Sequence, residues 1–153
     1  MPELLGSVPV IFLDVDGVLN SQRCVCDDYE EGDRTLLFAS DVLKTNEYMI
    51  PLERHMLENL KYILNEVPSA QICVSSTWRE EEQMKSFLYA ALKSIGIDTT
   101  TKIIGVTPSL GPLDGRGAEI LQWLQENAAK VSPNWIIIDD DHEHSFQKHN
   151  LTD

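Results

Sequence analysis

The stretch "VIFLDVDGVLN", Val10 to Asn20, drives four large apolar residues into two carboxylates, Asp14 and Asp16, with Gly17 directly behind them. Two acids two residues apart suit a division of labour. One acts as a nucleophile that splits a hydrolysis into two easier steps, and the other moves protons to the leaving group and from water. Taken alone, the pair also fits a strand that ends in a polar turn. Two further apolar runs end in polar groups: "QICVSSTW" in Ser75, Ser76 and Thr77, and "NWIIIDDD" in Asp139, Asp140 and Asp141. Carboxylates gathered at one place repel each other and need a cation or raised pKa values. An all-oxygen ligand set of this kind suits Mg2+, which accepts one or two carboxylates together with phosphate oxygens.

These groups act together only if the fold converges them. Val8 to Val15, Gln71 to Val74, "KIIGVTP" and "NWIII" read as short buried strands, rich in Val, Ile and Leu and bounded by turn residues. Between them lie three helical patterns. Pro51 to Val67 carries Leu52, Met56, Leu60 and Ile63 on one face, with Pro51 in the first turn. A second helix runs from about Arg79 to Ile95 and closes at Gly96. Gly115 to Lys130 is the third. Strands alternating with helices of this length predict an α/β fold, a Rossmann-like three-layer α/β/α sandwich around a parallel sheet. Such sheets bind ligands outside the carboxyl ends of their strands, where all the polar groups above would meet. Arg116 and Arg79 then fall in the first turns of their helices. Cations there oppose the helix dipole, which points to service for an incoming anion such as a phosphoryl group. The hydroxyls of Ser75 and Ser76 are phosphate donors or caps of the next helix.

The 153 residues are about one domain's worth, and the apolar share of 42% is ordinary for a globular chain. We expect a single domain over 1–153, with residues 21–50, including the acidic "DDYEEGD", as a candidate small cap or flap. The formal net charge of -13 disfavours an anionic membrane surface and stable binding to nucleic acid. It leaves room for a small phosphorylated substrate, because a bound cation reverses the local sign. The N-terminal "MPELLGSVP" lacks the pattern of a secretory signal, and no apolar run is long enough to span a membrane. Three cysteines, Cys24, Cys26 and Cys73, suit a reduced cytoplasmic setting and read as ordinary thiols. His142 and His144 read as solvated, and Trp78, Trp123 and Trp135 as packing.

In order, "DVDGVL", "ICVSS", the basic residue of "DGRGAEI" and "IIIDDD" resemble the four motifs of the haloacid dehalogenase (HAD) superfamily, from Val10 to about Asp141. The pairing of "DVDGVLN" with "SSTWR" further resembles a small-cap subgroup with members that are domains of RNA-repair proteins. The resemblance implies a Mg2+-dependent phosphatase that works through an aspartyl-phosphate. Asp14 would be the nucleophile and a metal ligand. Asp16 would be the general acid and base, with its backbone carbonyl on the metal. Ser75 would bind the phosphoryl group, with Ser76 or Thr77 as substitutes. Arg116 would take the place of the family's basic residue, and Asp139 and Asp140 would hold Mg2+. The superfamily's dehalogenases lack the second Asp, so Asp16 points to phosphoryl chemistry. A small cap leaves the site open to small molecules or to macromolecular phosphate ends. The superfamily's sheet commonly has a further strand past the fourth motif. With the chain ending at Asp153, that strand is expected to be missing and "NWIII" to form a sheet edge. A non-catalytic phosphate- or nucleotide-binding module of the same fold is the alternative reading.

Overall fold

A computed structural model describes residues 9–45, 47–110, 115–127 and 134–140. The strands are β1 (Val10–Leu13), β2 (Leu36–Leu37), β3 (Leu52–Glu53), β4 (Gln71–Val74), β5 (Ile103–Val106) and β6 (Trp135–Ile138). The helices are α1 (Gln22–Val25), α2 (Ala39–Val42), α3 (Arg54–Glu66), α4 (Glu82–Ser94), α5 (Thr99–Lys102) and α6 (Gly115–Glu126). A 3-10 turn, Thr77–Glu80, precedes α4.

Among the described residues the main sheet runs β5-β4-β1-β6, with every pairing parallel. The chain lays β4 and β5 on one side of β1, then returns to lay β6 on the other. The order of strands therefore reverses at β1, and the carboxyl end beside such a reversal is where doubly wound sheets bind ligands.

Side chains alternate across the strands and build two cores. Ile11, Leu13, Ile72 and Val74 pack with Leu57, Leu60 and Leu64 of α3 and Phe87, Leu88, Ala91 and Leu92 of α4. Val10, Phe12 and Cys73 face the other way, against Ile120 and Trp123 of α6. Phe12 meets the edges of Trp123 and Trp135 at ring-centroid distances of 5.5 and 6.0 Å, so both tryptophans pack as expected. Helices thus cover both faces of a parallel sheet, as the strand–helix alternation requires.

Two helix starts differ from the sequence reading. Pro51 does not open α3, because Leu52–Glu53 is extended and pairs antiparallel with Leu36–Leu37. That pairing spans about fifteen residues of sequence, beyond the reach of a local helical period. Arg79 does not open α4 either. It lies in the 3-10 turn, whose N-cap Ser76 accepts a hydrogen bond from the backbone N–H of Trp78.

Residues 21–50 contribute α1, β2 and α2 and are stitched back to the sheet. Glu53 N–H donates to the carbonyl of Leu19, and Arg54 N–H to that of Thr35. Leu37, Ala39 and Leu52 join the same buried cluster as Leu13 and Leu57. Beneath the stretch, Arg23 reaches Asp33 at 2.9 Å and the buried Glu53 at 2.7 Å, and Glu53 also accepts from Ser21. Arg23 is the main reason Glu53 is held below the ordinary carboxylate range. The end of the third expected helix, Asp141, His142, His144 and any strand after the fourth motif lie outside the described residues.

Candidate active site

The register of the parallel sheet aligns the first residue beyond each strand. Leu13 pairs with Val74 on one side and with Ile138 on the other. The ladder continues one step: Asp14 N–H donates to the Ile138 carbonyl at 3.0 Å, Ser75 N–H to Leu13 at 2.8 Å, and Thr107 N–H to Val74 at 3.0 Å. Asp14, Ser75, Thr107 and Asp139 therefore form one row across the carboxyl ends of β1, β4, β5 and β6. Alternation along β1 points Phe12 to the α6 face, so Asp14, two residues on, points there too. Arg116, in the first turn of α6, meets it.

Arg116 Nη1 lies 3.0 Å from Asp14 Oδ1 and 2.8 Å from Asp139 Oδ2. One guanidinium is thus shared by two carboxylates that are almost wholly buried. Carboxylate oxygens of Asp14, Asp139 and Asp140 also lie within 4.8 Å of one another. Burial, above all, pushes Asp14 up to about 7; Asp139 and Asp140 add to this, and Arg116 and the Val15 N–H work against it. Burial acts against the charge of Arg116 as well, but its hydrogen bond to Asp139 and the charge of Asp14 hold it above its usual value. The two shifts are compatible because Asp139 takes the closer contact and three acids outnumber one cation. An oxygen-rich cluster with surplus negative charge fits a hard divalent cation.

Gly17 is fixed by this cluster. Its φ is +83°, and a Cβ placed on it would stand 2.2 Å from Asp140 Oδ2. Only glycine both adopts that backbone and lets the Asp140 carboxylate approach.

The other expected residues have distinct surroundings. Ser75 is 1% exposed, and among the described residues its hydroxyl has no hydrogen-bond partner. An unsatisfied buried hydroxyl is costly unless something docks on it. Ser76 is buried with its hydroxyl capping the 3-10 turn. The Asp16 side chain stands apart from the acid cluster. Its Oδ1 accepts from Trp78 Nε1 at 3.0 Å and from Asn20 Nδ2 at 2.9 Å.

Arg79 has a different task from the one its sequence position suggested. Its guanidinium is 5% exposed and donates to the carbonyls of Ser76, Thr107 and Pro108, and it pairs with Glu119 at 3.0 Å. Glu119 in turn accepts from the Leu110 N–H at 3.0 Å. Every side-chain nitrogen of Arg79 is thereby engaged in holding the loop after β4, the loop after β5 and α6 together. This corrects the reading of Arg79 as a phosphate ligand: it braces the elements that carry Ser75 and Arg116. Asn20, Trp78, Thr107 and Glu119 are the site residues that sequence reasoning missed. The signal available for Asn20 was a lone amide at the end of an otherwise apolar "GVLN".

Fold and row together define an α/β hydrolase-type domain with an acidic centre built for a phosphoryl group and a cation. The chain belongs to the family described as the HAD domain in Swiss Army Knife RNA repair proteins, whose sequence pattern matches residues 10–152. Membership supports a HAD-type phosphohydrolase at the coarse level. No curated protein and no solved structure matches the chain. Among the described residues, no helix is long and apolar enough to cross a membrane.

Proposed function

We propose that this protein is a Mg2+-dependent phosphomonoesterase that works through a phosphoryl group carried on Asp14. The observation that carries the reading is the row itself: a buried acid of raised pKa, a buried hydroxyl without a partner and a shared arginine at one sheet edge. Asp14, Asp139 and Asp140 would hold the cation, with the backbone carbonyl of Asp16 as a further ligand. When bound, the cation supplies the charge neutralisation that lets an anionic nucleophile approach a phosphate.

The chain's own residues do the rest. Ser75 Oγ and Arg116 bind and orient the phosphoryl oxygens, and the charge of Arg116 favours the charge that develops during transfer. An Asp14 carboxylate oxygen attacks phosphorus as the ester P–O bond breaks, and Asp16 gives its proton to the departing oxygen. Asp16, now a carboxylate, takes a proton from the water that attacks the Asp14-bound phosphoryl group. Asp14 and inorganic phosphate are released, and Asp16 is again protonated.

The substrate is a phosphate monoester reached from an open edge. The family's setting in RNA repair points to phosphorylated ends, and the charge of -13 points to short or small substrates over long polynucleotides. The absence of a membrane-spanning pattern and of a secretory signal fits a cytoplasmic enzyme. Phosphate release from 4-nitrophenyl phosphate, with Mg2+ and with a chelator, tests the reading. The expected result is Mg2+-dependent turnover that Asp14→Asn abolishes. Undiminished turnover in Asp14→Asn refutes it.

A further inference from the structure

We infer that Trp78 and Asn20 are positioning residues for Asp16, whose Oδ1 they hold with two N–H groups so that Oδ2 is the oxygen that carries the proton. This deepens the phosphohydrolase reading and rests on it. Trp78 and Asn20 are both fully buried, so neither N–H has water as an alternative partner. Each meets the same atom: Trp78 Nε1 at 3.0 Å and Asn20 Nδ2 at 2.9 Å from Asp16 Oδ1.

The orientation of the Asn20 amide is fixed independently. Gly17 N–H points at it from 3.0 Å and can only donate, so the atom it meets is Oδ1 and the one facing Asp16 is Nδ2. The indole N–H is likewise a donor only. Two obligate donors on Oδ1 exclude a proton from that oxygen. Among the described residues, Oδ2 receives no hydrogen bond. The proton of the acid form therefore sits on Oδ2. From there it passes to the leaving oxygen as the ester P–O bond breaks and the bond to Asp14 forms, and Oδ2 takes a proton back from the attacking water.

The anchors also come from separate places. Asn20 closes the turn that carries Asp16, four residues on, whereas Trp78 belongs to the turn after β4, 62 residues away. The same turn follows Ser75, so the proton carrier is held to the element that presents the buried hydroxyl. The Trp78 ring stacks near Phe87 of α4, at 5.8 Å between centroids, which fixes the direction of its N–H.

The test pairs kinetics with a spectrum that needs no turnover. Trp78→Phe keeps a ring and removes the N–H; Asn20→Asp keeps the shape and replaces the donor by an acceptor. With Mg2+ present, kcat/KM is measured for 4-nitrophenyl phosphate and for phenyl phosphate, which differ little in size and greatly in how much the leaving oxygen needs a proton. Both variants are expected to lose activity on both esters, and about tenfold more on phenyl phosphate, as misplacing a general acid requires. Equal losses on the two esters overturn the proposal. In the metal-free protein, the indole N–H resonance of Trp78, assigned with Trp78→Phe, is expected to move in Asp16→Ala while those of Trp123 and Trp135 stay. An unmoved Trp78 resonance overturns the proposal even where a variant folds poorly. If the wild-type protein hydrolyses neither ester, the phosphohydrolase reading fails first, visibly in the parent, and the proton-carrying role falls with it.

Discussion

Replacing Asp14 by Asn should stabilise the protein when no divalent cation is present. The acid is 3% exposed and shares Arg116 with Asp139 while Asp140 stands close by. Its pKa rises from the ordinary 3.8 to about 7 on folding, with burial the largest cause. A raised folded-state value has a definite sign. The favourable balance is full below 3.8, where both states are protonated, and is lost as pH rises through 7, because the unfolded chain sheds the proton first. At about 1.4 kcal/mol per pKa unit, the ionised Asp14 destabilises the metal-free fold by at most about 4 kcal/mol. Coupling to the neighbouring acids lowers this to roughly 2–4 kcal/mol at pH 7.5. Asn removes the charge and keeps the shape, and Arg116 retains Asp139 at 2.8 Å. For a chain of this size the gain raises Tm by roughly 5–15 °C. The assay is thermal unfolding with a chelator, at pH 7.5 and pH 4. A large rise at pH 7.5 that shrinks to under about 1 kcal/mol at pH 4 is expected. Mg2+ should then stabilise the wild type more than the variant. A variant no more stable than the parent at pH 7.5 without metal would show that Asp14 is not a charge in surplus.

Three further perturbations probe other parts of the structure. Gly17→Ala meets both a φ of +83° and a clash with Asp140 Oδ2, so it should cost about 1–2 kcal/mol and weaken Mg2+ binding by about tenfold, read by calorimetric titration. Arg79→Ala leaves Glu119 buried without its partner and frees three carbonyls. Chemical denaturation should show a loss of about 3–5 kcal/mol, and a loss below 1 kcal/mol would contradict the bracing role. Arg23→Ala leaves Glu53 in a buried place with Ser21 alone, which should cost about 1–3 kcal/mol and speed amide exchange at Leu36 and Leu37.

Much of this was legible in the sequence because burial writes itself into local composition. The runs that became β1, β4, β5 and β6 are short and apolar on both faces, as strands covered by two helical layers must be. Once the sheet is parallel, its carboxyl ends gather Asp14, Ser75, Asp139 and Asp140 with no further information. Long-range partners left no such trace. The pairing of Leu36–Leu37 with Leu52–Glu53 displaced Pro51 from the expected helix. Arg79 looked like an anion ligand because a helix dipole argument is local, whereas its actual partners, the carbonyls of Thr107 and Pro108 and the carboxylate of Glu119, come from 28 to 40 residues away. Trp78 read as packing because an indole's apolar body dominates its sequence signature. Its N–H, aimed at Asp16, became visible only in three dimensions.

The central claim is that a phosphoryl group passes through Asp14. It is tested most directly by quenching Mg2+-dependent turnover of 4-nitrophenyl phosphate, reducing with borohydride and mapping the modified residue by tandem mass spectrometry. An acyl phosphate is reduced to the alcohol, so Asp14 should appear as homoserine in the Mg2+-containing sample and be intact when a chelator replaces Mg2+. Turnover with Asp14 intact, or with the modification at Asp16, Asp139 or Asp140 instead, would contradict the account.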